Sequence, residues 1–223
     1  MTRVAHEDLV KKQFQELQTK HQYLQLHDTG KGYTISGHLT FRSEYAGIEI
    51  QDGFSIFIEI PARYPDAIPT VKEMAGRIPN NFHKFDNDVL CLGTPTDQWI
   101  KFNQSKTLLG FIENLVVPHL FSFCFKEKTG RMPFGERSHG GLGILEFYCE
   151  YFELKDFEAA RKLLKLLATG SYRREKTCPC GSGRRLRSCH GKKFLEAMKS
   201  QEVSTFKGEY KQALSLGTKK PRN

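Results

Sequence analysis

Val10, Phe14, Leu17, His21 and Leu24 recur at intervals of four and three, the spacing of one face of an amphipathic helix. His21 on that face is read as a core or rim histidine, and Asp28-Thr29-Gly30 is predicted to end the helix. The period then changes to two. Tyr33, Ile35, Gly37, Leu39 and Phe41 alternate with polar partners, Ile48 and Ile50 repeat the pattern, and Phe54, Ile56, Ile58 and Ile60 follow an expected Asp52-Gly53 turn. These are half-buried strands of an antiparallel meander. Tyr64-Pro65 and Ile68-Pro69 hold the next stretch extended, because a residue before proline avoids the helical region. Val71–Met74 predicts one more short strand, broken by Ile78-Pro79-Asn80-Asn81. Beyond Trp99, Ser105 is placed as the cap of a helix carrying Leu108, Leu109, Ile112, Leu115 and Val116, which Pro118 ends or kinks. Five glycines (130, 135, 140, 141 and 143) and Pro133 predict a long loop over 126–143. From Glu146 to Ala168 the pattern is helical again, with Phe157, Ala160, Leu164 and Leu167 on the core side. The fold class is α+β.

Charge divides the chain in a way hydropathy does not. The net charge is +9, yet from Gly170 onward there are 14 Lys/Arg against 4 Asp/Glu, leaving 20 against 21 before it. This predicts a neutral body, 1–169, and a basic tail, 170–223. Such a tail can meet nucleic acid through phosphates, meet an acidic protein face, or simply keep the chain soluble, the commonest case. With no run of about 18 apolar residues and a polar N-terminus, neither a membrane span nor a secretory signal is expected. A cytoplasmic location follows, in which the six cysteines are reduced thiols or metal ligands rather than disulfides.

Four of the soft ligands fall together in CPCGSGRRLRSCHG, Cys178 to Gly191. Cys178, Cys180, Cys189 and His190 make a three-thiolate, one-imidazole set that suits a closed, structural Zn2+ site. Ordinary reduced cysteines are the bland alternative. The CxC, eight residues, then Cys-His spacing resembles the SEC-C motif. That resemblance implies zinc binding and a docking role toward other proteins or ribosomes, and it covers only this segment.

The other chemistry-bearing stretch is His83–Trp99, HKFDNDVLCLGTPTDQW. Cys91 lies between Val89-Leu90 and Leu92, as a small core residue would, but the apolar run ends at once in Gly93-Thr94-Pro95. The thiol is therefore either core filler or a nucleophile where a strand leaves the core. A weaker set, Glu136, Arg137 and His139, lies in the glycine-rich loop, where polar groups are usually just solvated but a Glu/His pair can act as acid and base or as a gate. Cys124 and Cys149, among Phe and Tyr, are read as core.

Taken in order, the N-terminal helix, the meander, Tyr64-Pro65 and Pro69, His83 ahead of Cys91, Leu92, Trp99 eight positions on, and Ser105-Lys106-Thr107-Leu108 resemble a divergent bacterial ubiquitin-conjugating enzyme. The similarity spans roughly residues 5–125. It implies a UBC-like fold and thioester formation at Cys91, with His83 shaping the active loop or raising the thiolate fraction and Trp99 packing beneath it. Bacterial proteins of this kind occur in antiphage CBASS operons, where they attach the C-terminus of the cyclic-oligonucleotide synthase (CD-NTase) and prime it. That synthase is the partner the resemblance implies, in preference to nucleic acid on the basic tail. His83-Lys84-Phe85 replaces the family's His-Pro-Asn, and Gly93 its usual acidic residue, which points to narrow, partner-specific chemistry. A catalytically inactive adaptor that recruits partners through the zinc tail is the alternative.

Overall fold

The computed structural model describes residues 3–215, so the end of the basic tail lies outside the described residues. The fold is α+β, and the chain divides into two compact units: one from 1–92 and 101–135, the other from 93–100 and 136 onward.

In the first unit, helix α1 (Arg3–Lys20) is followed by strands β1 (Leu24–Asp28), β2 (Tyr33–Tyr45), β3 (Ile48–Ile60) and β4 (Thr70–Glu73). They form one antiparallel sheet in the order β1-β2-β3-β4. Its buried face carries Ile35, Leu39, Phe54, Ile56, Ile58 and Val71, with Ile35 opposite Ile58 and Ile58 opposite Val71. The period-two pattern therefore predicts β2, β3 and β4 in place.

Two local expectations need correction. The helix stops at Lys20, and Leu24–Asp28 pairs as a strand with Tyr33–Gly37. His21 and Leu24 are buried all the same, so burial continues past the helix and mimics its stripe. The hairpin turn is Ala46-Gly47, both at positive φ, as a two-residue turn matched to strand twist requires. Asp52-Gly53 lies inside β3, opposite Phe41 and Thr40.

Helix α2 (Pro95–Phe102) comes next, then α3 (Leu108–Phe111), a single π-helical turn (Ile112–Val116) and α4 (Val117–Thr129). Thr107, not Ser105, caps α3, accepting from the Gly110 N–H at 2.9 Å. Pro118 does not end the helix. It sits in the first turn of α4, where its missing N–H is tolerated, and the π turn before it absorbs the mismatch. Leu108–Thr129 is long and apolar enough to cross a membrane, which corrects the expectation that no stretch is. Its mean hydropathy is 1.6 and 67% of it is buried in protein, including Phe111, Ile112, Leu115, Val116, Leu120 and Phe121. Gln13 of α1 joins this core by polar bonds. Its Oε1 accepts from the Tyr64 hydroxyl and, at 3.1 Å, from the Leu108 N–H.

Asp52 earns its place in β3 through Arg77, which donates to both carboxylate oxygens at 2.9 and 2.8 Å and lies 4.6 Å over the Phe54 ring. The Arg77 guanidinium holds the Asp52 carboxyl down at about 2. A lowered carboxylate stabilises above its unfolded value, near 3.8, and that contribution is lost as pH falls through about 2. Asp52→Asn is therefore expected to cost about 1–2 kcal/mol at neutral pH, after discounting for solvent screening. Denaturant midpoints of the two proteins should converge at the acid end of that window; a constant gap would refute the ion pair as the cause.

The second unit contains residues 93–100, which include the start of α2, helices α5 (Gly140–Phe152) and α6 (Phe157–Ala168), a 3-10 turn (Leu186–Ser188), and helices α7 (Gly191–Ser200) and α8 (Val203–Leu214). The expected long loop shrinks to 130–139, because glycines 140, 141 and 143 begin a helix. Gly141 is there for space: a Cβ on it would lie 2.2 Å from the Gln212 carbonyl oxygen of α8. The division expected after Thr169 is likewise not found. Phe152, Leu163, Leu164 and Leu167 before it share one core with Cys178, Leu186, Phe194 and Phe206 after it.

Candidate functional site

Main-chain bonds fold the 170–191 segment into a small loop. The Cys178 N–H donates to the Arg184 carbonyl and the Leu186 N–H to the Lys176 carbonyl, each at 2.8 Å, and Thr177 bridges to Arg185. This small loop returns Cys178 and Cys180 to Cys189 and His190, the latter at the start of α7. The ligand atoms of all four lie within 4.8 Å of one another. His190 Nδ1 is 3.2 Å from Cys178 Sγ and 3.3 Å from Cys189 Sγ, and Cys180 Sγ is 3.5 Å from Cys189 Sγ. The sulfur separation is far beyond the ~2.05 Å of a disulfide and close to the edge of a tetrahedron around a metal with ~2.3 Å metal–sulfur bonds.

The surroundings suit a cation. His190 presents Nδ1 to the thiols, and the Phe152 ring of α5 packs edge-on against its ring at 5.9 Å between centroids. Arg184 Nη2 donates to Cys189 Sγ at 3.4 Å, offsetting thiolate charge. Burial pushes the Cys178 thiol up to about 12. Cys180 is also raised by burial, but Ser182 and the neighbouring cysteines bring it down to about 7. The four side chains could hold a metal ion. On the outside of the loop Arg174, Arg185 and Arg187 all pair with Glu175, at 3.2, 2.8 and 3.0 Å.

The second candidate lies in the first unit. Leu90 and Leu92 are buried while Cys91 between them is half-buried, so the thiol faces away from the side of the chain that holds the core. The Leu90 N–H donates to the Val71 carbonyl at 2.8 Å and the Cys91 N–H to the His83 carbonyl at 2.7 Å. His83 adopts φ 36°, a left-handed conformation that costs a non-glycine residue on the order of 1 kcal/mol or more. Cys91 and His83 are thus brought together through the main chain. Comparison with protein-family models, with curated proteins and with solved structures returns no match. Chemistry here rests on these side chains alone.

Trp99, Glu136 and His139 belong to the second unit. Trp99 is half-buried on α2, and Glu136 and His139 are exposed before α5. Arg137 of the same loop makes ion pairs with Asp97 at 3.3 Å and Glu150 at 2.5 Å. Cys124 is buried, donating to Asp52 at 3.3 Å, and Cys149 is half-buried, donating to the Asp156 carbonyl. One residue that sequence reasoning missed is His119 of α4, which shares Phe82 with His83: the Phe82 ring packs edge-on against both, at 5.5 and 5.4 Å between centroids. Its only signal in the sequence is a polar residue in the apolar run Leu115–Phe125.

Proposed function

We propose that the first unit is a ubiquitin-conjugating-enzyme-like thiol transferase. The Cys91 thiolate attacks the carbonyl carbon of a partner-borne thioester: a carbon–sulfur bond forms at Cys91, the partner's bond breaks, and the departing thiolate takes up a proton. A later amine attack would return the acyl group and free Cys91. The acyl group is the C-terminus of a partner protein, the cyclic-oligonucleotide synthase of a CBASS operon by the resemblance above, in a reducing cytoplasm. The observation that carries this reading is Cys91 itself, a half-buried cysteine between two buried leucines, its N–H held by the His83 carbonyl. In the same proposal zinc is the metal of Cys178, Cys180, Cys189 and His190, as in a SEC-C motif, and its role is to hold that loop closed.

Mass spectrometry of wild type and Cys91→Ala, each co-expressed with the proteins encoded beside it, tests this. A reductant-sensitive adduct on wild type alone is expected. No adduct, or one that survives Cys91→Ala, overturns the reading and leaves the binding adaptor.

A further inference from the structure

The hairpin that carries Cys91 has one arm along the sheet and one beyond it. Residues 89 and 90 extend the sheet past β4: Val89 bridges to Lys72, and the Leu90 N–H donates to the Val71 carbonyl at 2.8 Å. The other arm, 83–85, lies on the far side of these residues from β4. The Cys91 N–H joins the two arms at the His83 carbonyl, at 2.7 Å, and the Phe85 N–H at the Val89 carbonyl, at 2.9 Å, with the Lys84–Leu90 bridge between. Two non-glycine residues of this hairpin have positive φ, His83 at 36° and Asp88 at 65°. Such conformations persist only where the surroundings over-determine them.

Lys84 supplies that constraint. It stands opposite Leu90, so its side chain takes the same, buried side of the hairpin, and it is 10% exposed. Its Nζ donates to the Ile78 carbonyl at 3.2 Å and lies 3.2 Å from Asp88 Oδ1. Ile78 is anchored in turn: it is buried, and its N–H donates at 3.3 Å to Glu73, the last residue of β4. The outer arm is thereby tied back to the strand that holds the inner arm, and the turn residue Asp88 is tied to the same amine. Taking an ammonium out of water is costly unless the bonds it makes inside return that cost. An ion pair to Asp88, which is 65% exposed, is worth little by itself. What burial of the amine adds is the bond to Ile78.

We propose that Lys84 is a positioning residue for Cys91, holding the arm whose His83 carbonyl bonds the Cys91 N–H and thereby fixing the main chain that carries the attacking sulfur. This rests on Cys91 being the acyl acceptor. Attack on a carbonyl carbon depends steeply on placement, and a displacement of about 1 Å costs roughly a hundredfold. The ammonium acts from the buried side of the hairpin. It leaves the outward side, where Phe85 is exposed and Cys91 half-buried, to the partner.

The test uses the full chain and three variants. Lys84→Met keeps the unbranched stem and removes the ammonium, Lys84→Arg keeps a cationic donor, and Asp88→Asn keeps the Ile78 bond while removing the ion pair. Amide hydrogen exchange at Cys91, followed by NMR, should speed about tenfold or more in Lys84→Met and stay near wild type in Lys84→Arg, while the amides of β2 and β3 keep their wild-type rates. Adduct yield in the co-expression assay should fall about tenfold in Lys84→Met and recover largely in Lys84→Arg. Wild-type exchange at Cys91 in Lys84→Met, or equal adduct yields in the methionine and arginine variants, overturns the proposal. Should Lys84→Met fail to fold, Asp88→Asn carries the test: exchange at Cys91 should rise about threefold there, and an unchanged rate overturns the proposal equally. Absence of any wild-type adduct would count against the thioester chemistry alone, and exchange at Cys91 would still decide whether Lys84 holds that residue in place.

Discussion

Removing the zinc proposed for Cys178, Cys180, Cys189 and His190 should unfold much of the second unit instead of loosening a tail. Cys178 is 2% exposed, and Leu186 and Phe194 beside it are fully buried against Phe152, Leu163, Leu164 and Leu167. The loop that carries the four side chains is closed by isolated main-chain bonds and one bridge, so under the zinc proposal the ion would supply much of its closure. Structural zinc contributes on the order of 10 kcal/mol of folding free energy in small metal-folded segments, comparable to the whole stability of a typical domain. Chelation, or Cys178→Ser, should therefore abolish bound zinc and lower the unfolding temperature by more than about 10 °C. Cys149→Ser, outside the cluster, should leave metal content at one ion per chain and change stability by less than about 1 kcal/mol. Elemental analysis paired with thermal unfolding checks both. A metal-free protein with an unchanged transition would mean that the four side chains are merely neighbouring reduced groups.

That expectation differs from what charge alone suggests. The excess of Lys/Arg after Gly170 reads as an appendage, but charge reports the surface, and the buried residues among those charges are few and widely spaced: Leu186, Phe194, Ala197, Phe206 and Ala213. Their helical spacing is legible only once α5 and α6 are known to need a cover. The four side chains that could hold a metal were readable because they all lie within 13 residues, so local spacing brings them together. The strands were readable for the same local reason, since a half-buried strand repeats every second residue.

What sequence could not supply were decisions made by distant partners. Leu24 continues a helical stripe by spacing yet pairs with Gly37 as a strand. Pro118 should break a helix, but a π turn precedes it. Gly141 looks like flexibility and is instead a point where α8 passes close by. The Cys91 segment is intermediate: the thiol and His83 could be named from the sequence, but His119, which packs on the same Phe82 ring as His83, comes from α4, 36 positions after His83.

Glu209 shows the same kind of long-range decision and carries the second large effect. Its carboxylate, 1% exposed, accepts from the Thr96 N–H at 2.9 Å, the Thr96 hydroxyl at 2.5 Å and the Tyr148 hydroxyl at 2.7 Å. Thr96 is the second residue of α2, so α8 caps that helix with a negative group at its positive end. Glu209→Ala would leave the Thr96 N–H and one hydroxyl of the Thr96–Tyr148 pair, which bond each other at 2.8 Å, buried without an acceptor, at about 1–3 kcal/mol for each unmet group. A loss of roughly 3–5 kcal/mol is expected, the range for breaking a buried charged network. Glu209→Gln should cost much less, because the amide oxygen can still accept and the hydroxyls can turn. The two should also differ from wild type in pH dependence. Burial raises the Glu209 carboxyl above its ordinary value of 4.5, so its protonated form is favoured in the folded state. The stability this gives is complete below the unfolded value and is lost as pH rises through the folded one. Wild type should accordingly gain on Glu209→Gln as the buffer is taken from pH 8 toward pH 4.5, and urea midpoints at several pH values measure it. Parallel pH profiles for the two proteins would show that the carboxylate is not held in a desolvated site, and the capping role would then have to be carried by Thr96 and Tyr148 without it.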